Sequence, residues 1–341
     1  MDRRNFIKSA GVAAFGTWVF SNANSRTGIQ KKDSSRIVDA HTHIGVVPSH
    51  RHGLENKIRT REDLIAFRTR YPELYARRLH EKFEENSDDL VAAMDQHGID
   101  KALTQLTAGD MSNDMIVEAV KKHPDRLYGQ LRVGQNQVNT AYAEDSAVVR
   151  ARAAEEIKRG VEELGLIAVG TTSARGFTKE IHPERIADDL APIMEAVNKY
   201  KIPIEFPTAW SQFRGGLYYG NPEWVDEVAG RYPQVPIILS KMGRSVTFYF
   251  EMAMMVAMRN SNVYFDIVGT SSDHLHQAAE TIGANRILFG TDWSGTWRWV
   301  VHPEDVYTRH KRIVEESGLS DEQKQWIYWR TANKVFKLGL Q

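Results

Sequence analysis

From Arg36 onward, short apolar runs alternate with longer stretches whose apolar residues recur at helical spacing. The short runs are 36–40 (RIVDA), 99–106 (IDKALTQL), 126–133 (RLYGQLRV), 164–170 (LGLIAVG), 202–206 (IPIEF), 235–240 (VPIILS), 262–267 (NVYFDI) and 286–290 (RILFG). They read as eight strands. The stretches between them carry helix punctuation. Ser87 is placed to cap a helix that Gly98 closes, and Asn221 with Pro222 opens another. Residues 184–200 set Ile186, Leu190, Ile193, Met194 and Val197 on one face, as an amphipathic helix requires. Eight strand–helix units in succession predict an α/β protein, a parallel (β/α)8 TIM barrel. An open doubly wound sheet fits less well, because no glycine-rich phosphate loop follows the first strand.

Two segments depart from a minimal barrel. Residues 45–86, rich in charge, read as an insertion after the first strand, with a helix near 61–85. Residues 207–221 (PTAWSQFRGGLYYGN) form a long aromatic loop after the fifth. Such loops lie on the face of a barrel where active sites are built. No internal repeat, low-complexity tract or linker divides the chain.

The first 23 residues follow a different logic. Arg3–Arg4, followed by Asn5, Phe6, Ile7 and Lys8, resembles a twin-arginine export signal. A weakly apolar stretch from Ser9 to Phe20 comes next, and Ser21-Asn22-Ala23 offers a small-residue cleavage site. The expectation is a signal peptide at 1–23, a single barrel domain at 24–341 and a periplasmic location. No other segment approaches 18 uninterrupted apolar residues, so no membrane span is expected.

Composition narrows the chemistry. Of the 341 residues, 42% are hydrophobic and 26% charged, a globular balance that excludes disorder. Cysteine is absent, which removes thiol catalysis, zinc–thiolate sites and iron–sulfur clusters. Lys and Arg number 44, as do Asp and Glu, so the formal charge is zero and no nucleic-acid partner is expected.

The first strand runs into Asp39-Ala40-His41-Thr42-His43. Side chains alternate along a strand, so His41 and His43 point the same way, into the barrel mouth. Two adjacent imidazoles suit a divalent metal or an acid–base pair. The last strand runs into Gly290-Thr291-Asp292-Trp293, which brings the Asp292 carboxylate toward the same axis.

With these residues in view, VDAHTHIG, NVYFDI and RILFGTDW resemble the amidohydrolase-related family of the metal-dependent hydrolase superfamily, which includes aminocarboxymuconate semialdehyde decarboxylase. The likeness covers most of residues 36–338. It implies a (β/α)8 barrel with a divalent metal, usually zinc. The family's ligands are two His after the first strand, one after the fifth, often one after the sixth, and an Asp after the eighth. Carried over, the set is His41, His43 and Asp292. Pro207 stands where the fifth strand would present its His, and Lys241 where the sixth would.

Those departures direct the expected mechanism. A Lys241 ammonium aimed at the same centre would repel an ion by several kcal/mol in a low-dielectric site. It can instead replace the ion's charge and stabilise an enolate or oxyanion, while His41, His43 or Asp292 moves protons. The metal-free centre is favoured, with one divalent ion, zinc or manganese, on His41, His43 and Asp292 as the alternative. A buried Lys241–Asp292 salt bridge is the purely structural alternative. His182 is a candidate second acid–base group, and His274 and His276 are weaker ones. His50 and His52, in the insertion, read as surface residues. Arg244, Arg214, Arg175 and Arg298 are candidate anion-binding residues. Trp210 and Trp293 are candidate ring-covering surfaces, with Tyr218, Tyr219, Trp297 and Trp299 nearby.

The expected function is an exported lyase of dehydratase type. It would eliminate water or alcohol from a small acidic or oligosaccharide substrate containing uronate. The alternative is a single-metal hydrolase or decarboxylase of a small carboxylic acid, ester or lactone. A non-catalytic ligand-binding barrel is the second alternative. A homodimer is compatible with the resemblance.

Overall fold

The computed structural model describes residues 36–45, 84–107, 112–133, 146–209, 216–293 and 305–341. All the described residues belong to one compact unit. The export signal and nearly all of the insertion therefore lie outside the described residues, as do Trp210, Arg214, Trp297, Arg298, Trp299, His50 and His52.

All eight expected strands form: β1 Val38–Ile44, β2 Lys101–Leu106, β3 Leu127–Leu131, β4 Ala168–Thr171, β5 Ile204–Pro207, β6 Ile237–Ser240, β7 Val263–Asp266 and β8 Ile287–Leu288. They pair in parallel in chain order. Hydrogen bonds from β1 to residues just past β8 bring the ends together: Ala40 N donates to Phe289 O at 2.8 Å and His43 N to Trp293 O at 2.9 Å. The result is a (β/α)8 TIM barrel.

The helices are α1 Ser87–His97, α2 Asp114–Lys122, α3 Ser146–Glu162, α4 Pro183–Tyr200, the short α5 Gly216–Tyr219, α6 Glu223–Arg231, α7 Thr247–Arg259, α8 Ser272–Ile282, α9 Val306–Glu315 and α10 Asp321–Gln325. A π-helical stretch, Trp326–Arg330, leads into α11 Thr331–Phe336. On α4, Ile186, Leu190, Ile193, Met194 and Val197 are all buried, as their spacing requires. Gly98 ends α1 in the left-handed region at φ 66°, but the cap position at its start is Asn86, and Ser87 is already helical.

Two apolar layers fix the site's height. Most buried apolar residues lie between strands and helices. A second cluster holds Val38, Ala40, Leu103, Ala168, Ile238, Tyr264 and Leu288 with Ala332, Val335 and Phe336 of α11. The apolar plug thus takes the early residues of the strands. Polar side chains occupy their later residues, at the C-terminal face.

Candidate active site

Val38 and Ala40 belong to the plug, so strict alternation would carry Thr42 and Ile44 into the barrel. The pairing of β1 with β2 shifts register between Asp39 and Thr42, and this bulge breaks the alternation. His41 and His43 therefore meet, their Nε2 atoms 3.1 Å apart. Gly290 permits the close approach of the last strand. A Cβ there would lie 3.1 Å from the Cβ atoms of both His41 and Asp266.

The outer nitrogen of each ring is already committed. His41 Nδ1 is 2.7 Å from Asp266 Oδ2 and 3.0 Å from Glu205 Oε1. His43 Nδ1 is 3.1 Å from the Leu106 carbonyl oxygen. Each partner only accepts, so both Nδ1 atoms donate, and each ring, when neutral, presents a lone pair on Nε2. Asp292 Oδ1 lies 3.0 Å from His43 Nε2 and 3.6 Å from His41 Nε2. Three acceptor atoms thus converge in a buried space.

Such a cluster needs positive charge at its centre. Burial opposes a charged His41, yet the Glu205 and Asp266 carboxylates raise it to about 10. Burial pushes His43 down. Burial also opposes ionisation of Asp292, but the Lys241 ammonium holds its carboxyl well below the usual range. Asp39, Glu205, Asp266 and Asp292 are all fully buried in this region. Donors about 2.1 Å from a divalent ion lie about 3.0–3.4 Å from one another, close to the separations here. The donor set of two imidazoles and one carboxylate therefore fits one divalent ion, with positions left for substrate. The Asp266–His41 contact is the outer support such ligands require.

Lys241 is 9% exposed, and its Nζ donates to Asp292 Oδ2 at 2.6 Å. Arg244 brings a guanidinium nitrogen to 4.0 Å from the same oxygen. An unusual turn aims both cations. Lys241, Met242, Gly243, Arg244 and Ser245 all have positive φ, at 74°, 37°, 73°, 53° and 59°. Holding ordinary residues there costs about 1 kcal/mol each, so the turn is strained in favour of this geometry. Asp266 helps fix it, since its Oδ1 accepts from the Lys241 backbone N at 2.7 Å.

The remaining candidates separate. Arg175 is buried in a short 3-10 turn after β4. Trp293 continues the strand direction beside Thr42 and packs on the core. His182 is exposed, just ahead of α4, and does not join the cluster. His274 stacks on Phe250, and His276 bonds the Ser317 carbonyl. Tyr219 donates toward the Thr178 and Glu180 carbonyls, a structural use.

Sequence reasoning missed Glu205 and Asp266. Glu205 lies two residues before Pro207 and so shares its face of β5, a signal that strand alternation already offered. Asp266 sat unassigned inside NVYFDI. Thr171 was also missed; its hydroxyl donates to Glu205 Oε1 at 2.7 Å. So was Arg132, which donates at 3.0 Å to the Leu106 carbonyl that also fixes His43.

A parallel barrel with this cluster at its C-terminal face defines a barrel enzyme with a site for one divalent ion. The chain belongs to the amidohydrolase family, whose model matches residues 38–338. It is 24% identical over 326 residues to a gamma-resorcylate decarboxylase of Polaromonas sp. strain JS666, covering 79% of this chain and 91% of that one. Among solved structures it is similar to 5-carboxyvanillate decarboxylase from Sphingomonas paucimobilis, with TM-score 0.59, 15% identity and coverage of 89% and 99%. It is also similar to a dihydroxybenzoic acid decarboxylase from Polaromonas sp. JS666 bound to manganese and 2-nitroresorcinol, with TM-score 0.57, 18% identity and coverage of 90% and 98%.

These findings correct two expectations. The uronate dehydratase is overturned: the similar proteins include decarboxylases of aromatic acids and none named for a uronate is among those found, which favours the decarboxylase alternative. In the structure the Lys241 ammonium meets Asp292 at 2.6 Å and so leaves the imidazole side of that carboxylate to other charge. The preference for a metal-free centre also gives way, because the ammonium meets the outer oxygen of Asp292 while the inner one faces the imidazoles. An ion held by His41, His43 and Asp292 would leave the Lys241 contact with the other oxygen in place.

Proposed function

We propose that this protein is a divalent-metal-dependent decarboxylase of a small aromatic carboxylic acid, with His41, His43 and Asp292 holding the ion. The observation that carries the reading is the convergence of three acceptor atoms, 3.0–3.6 Å apart, with two cations directed at the outer oxygen of Asp292. Similarity to gamma-resorcylate decarboxylase supports the reaction class, and the manganese of the dihydroxybenzoic acid decarboxylase supports the ion.

When bound, zinc or manganese supplies a Lewis-acid centre that polarises a substrate oxygen. The chain's own residues supply position and protons. Asp266 and Glu205 hold the His41 ring in one tautomer and orientation. Lys241 and Arg244 set positive charge beside the cluster, where it attracts a carboxylate. In decarboxylation the bond from ring carbon to carboxylate carbon breaks and carbon dioxide leaves. The electron pair stays on the ring carbon, which then takes a proton. We assign that proton to Lys241. Its ammonium has three N–H donors, Asp292 steadies it through one, and solvent restores the proton given up.

The test is a panel of ring acids, including gamma-resorcylate and 5-carboxyvanillate, given to the protein loaded with zinc or manganese. The expected result is release of carbon dioxide and loss of the ring carboxylate by mass, abolished by chelation. Full metal loading with no carbon dioxide from any acid, and water gained by an ester or lactone, would overturn the reading.

A further inference from the structure

His41, His43 and Asp292 give the ion three side-chain donors, because Pro207 and Lys241 stand where the resemblance places two more. Strand β4 supplies a further oxygen. Its pairing with β5 shifts register between Val169 and Thr171, which sets Thr171 level with Glu205. His41 Nε2 thereby has three neighbours: His43 Nε2 at 3.1 Å, Thr171 Oγ1 at 3.4 Å and Asp292 Oδ1 at 3.6 Å.

The contacts of Thr171 fix where its hydrogens go. Its backbone N donates to the Gln105 amide oxygen at 2.6 Å. The Gln105 amide nitrogen is therefore the atom that donates to the Thr171 hydroxyl, at 2.9 Å. Gly170 permits this close clamp, since a Cβ there would lie 2.4 Å from the Gln105 amide oxygen. The hydroxyl hydrogen goes to Glu205 Oε1 at 2.7 Å, a carboxylate and the nearer acceptor. Among the described residues, the remaining contact of this oxygen is with His41 Nε2. That ring donates through Nδ1 to Asp266 and Glu205, so when neutral it has no hydrogen to give on Nε2. One acceptor thus stands against another, an arrangement that a cation touching both would satisfy.

We infer that Thr171 Oγ1 is a fourth ligand of the divalent ion, a neutral oxygen from β4 added to His41, His43 and Asp292. Its 3.4 Å from His41 Nε2 matches two donors each about 2.1 Å from one ion. Threonine and serine hydroxyls ligate divalent ions in nucleotide-binding loops, so the chemistry is ordinary. Glu205 serves it as well, because a carboxylate drawing on the hydrogen makes the oxygen a better donor. The ligand set becomes two nitrogens and two oxygens. The added hard oxygen tilts the site from zinc toward manganese. The assignment rests on the ion site of the proposed function but not on the reaction performed there.

The test loads the full chain with manganese and reads two quantities. One is affinity, by chelator competition. The other is the relaxation of solvent protons by the bound ion, which rises with each water the ion carries. Thr171→Val keeps the side chain's shape and removes the hydroxyl. It is expected to bind manganese about tenfold more weakly, with zinc affected less. It is also expected to relax solvent protons more strongly, because a water takes the vacated position. Thr171→Ser is expected to match the wild type in both. Glu205→Gln keeps the hydroxyl, and is expected to weaken the ion without raising the relaxation. Unchanged relaxation in Thr171→Val would overturn the inference even if binding weakened, since the hydroxyl would then act only through Glu205. A wild type that takes up neither manganese nor zinc would overturn the ion site itself.

Discussion

At the scale of single residues, the chemistry turns on which oxygen of Asp292 faces which partner. Oδ1 faces the two imidazoles and Oδ2 faces Lys241. Lys241→Met deletes the cation without touching the three donors. It is expected to retain the ion, measured by elemental analysis, while kcat on the ring acid falls by about 10²–10³. Lys241→Arg keeps the charge but not the point donor, and is expected to recover binding of the acid more than turnover. Asp266→Asn tests the support behind His41. Losing that carboxylate is expected to weaken the ion about 10- to 100-fold, read by chelator competition. His41, His43 and Asp292 were legible in the sequence because they lie in the second half of β1 and just past β8. Glu205 and Asp266 were less so, because they matter only through an imidazole on a strand far away in the chain; Asp266 is 225 residues from His41.

At the scale of elements, the left-handed turn after β6 is a costly piece of backbone and also the one that aims Lys241 and Arg244. Gly243 lies at its middle with φ 73°, and a Cβ there would be 2.4 Å from the backbone nitrogen of Phe250. Gly243→Ala must therefore move α7 or the turn. It is expected to cost at least about 2 kcal/mol in urea denaturation and to lower turnover with Lys241 still present. Helix α9 carries a second constraint. His310 is buried with both ring nitrogens engaged: Nδ1 donates to Val306 O at 2.7 Å, and Nε2 accepts from Gly269 N at 3.1 Å. Burial pushes it down to about 4 from an ordinary 6.5. Above pH 6.5 neither the folded nor the unfolded chain protonates it. Between 6.5 and 4 only the unfolded chain does, so stability falls as pH falls. At pH 5 the wild type is expected to lose about 2 kcal/mol relative to pH 7 beyond what His310→Gln loses, read from urea midpoints. No sequence pattern announced the turn, since Lys-Met-Gly-Arg-Ser contains a single glycine and five positive φ values.

At the scale of the whole molecule, an ion held by His41, His43 and Asp292 would join strands from opposite ends of the chain. His41 and His43 come from β1 and Asp292 from beyond β8, so an ion there reinforces the closure that backbone bonds begin. Binding only the folded state, the ion at 100 times its dissociation constant is expected to raise Tm by about 5 °C, reversed by chelator and followed by calorimetry. The fold was read correctly from the chain because periodicity is local: eight apolar runs and their intervening amphipathic stretches, such as 184–200, need only near neighbours to declare themselves.

What the chain by itself determined is therefore the barrel, the two histidines, the terminal aspartate, and the replacement of the fifth- and sixth-strand ligands by Pro207 and Lys241. The first three follow from residue type and position along a strand, and the replacement is what the family resemblance implies. Tertiary structure alone decided three further matters. The bulge in β1 turned His41 and His43 inward, two carboxylates settled on one imidazole, and Lys241 took the outer oxygen of Asp292, 51 residues away. The reason is geometric. Hydrogen bonds and ion pairs act over about 3 Å, and only the closed barrel brings those atoms that near.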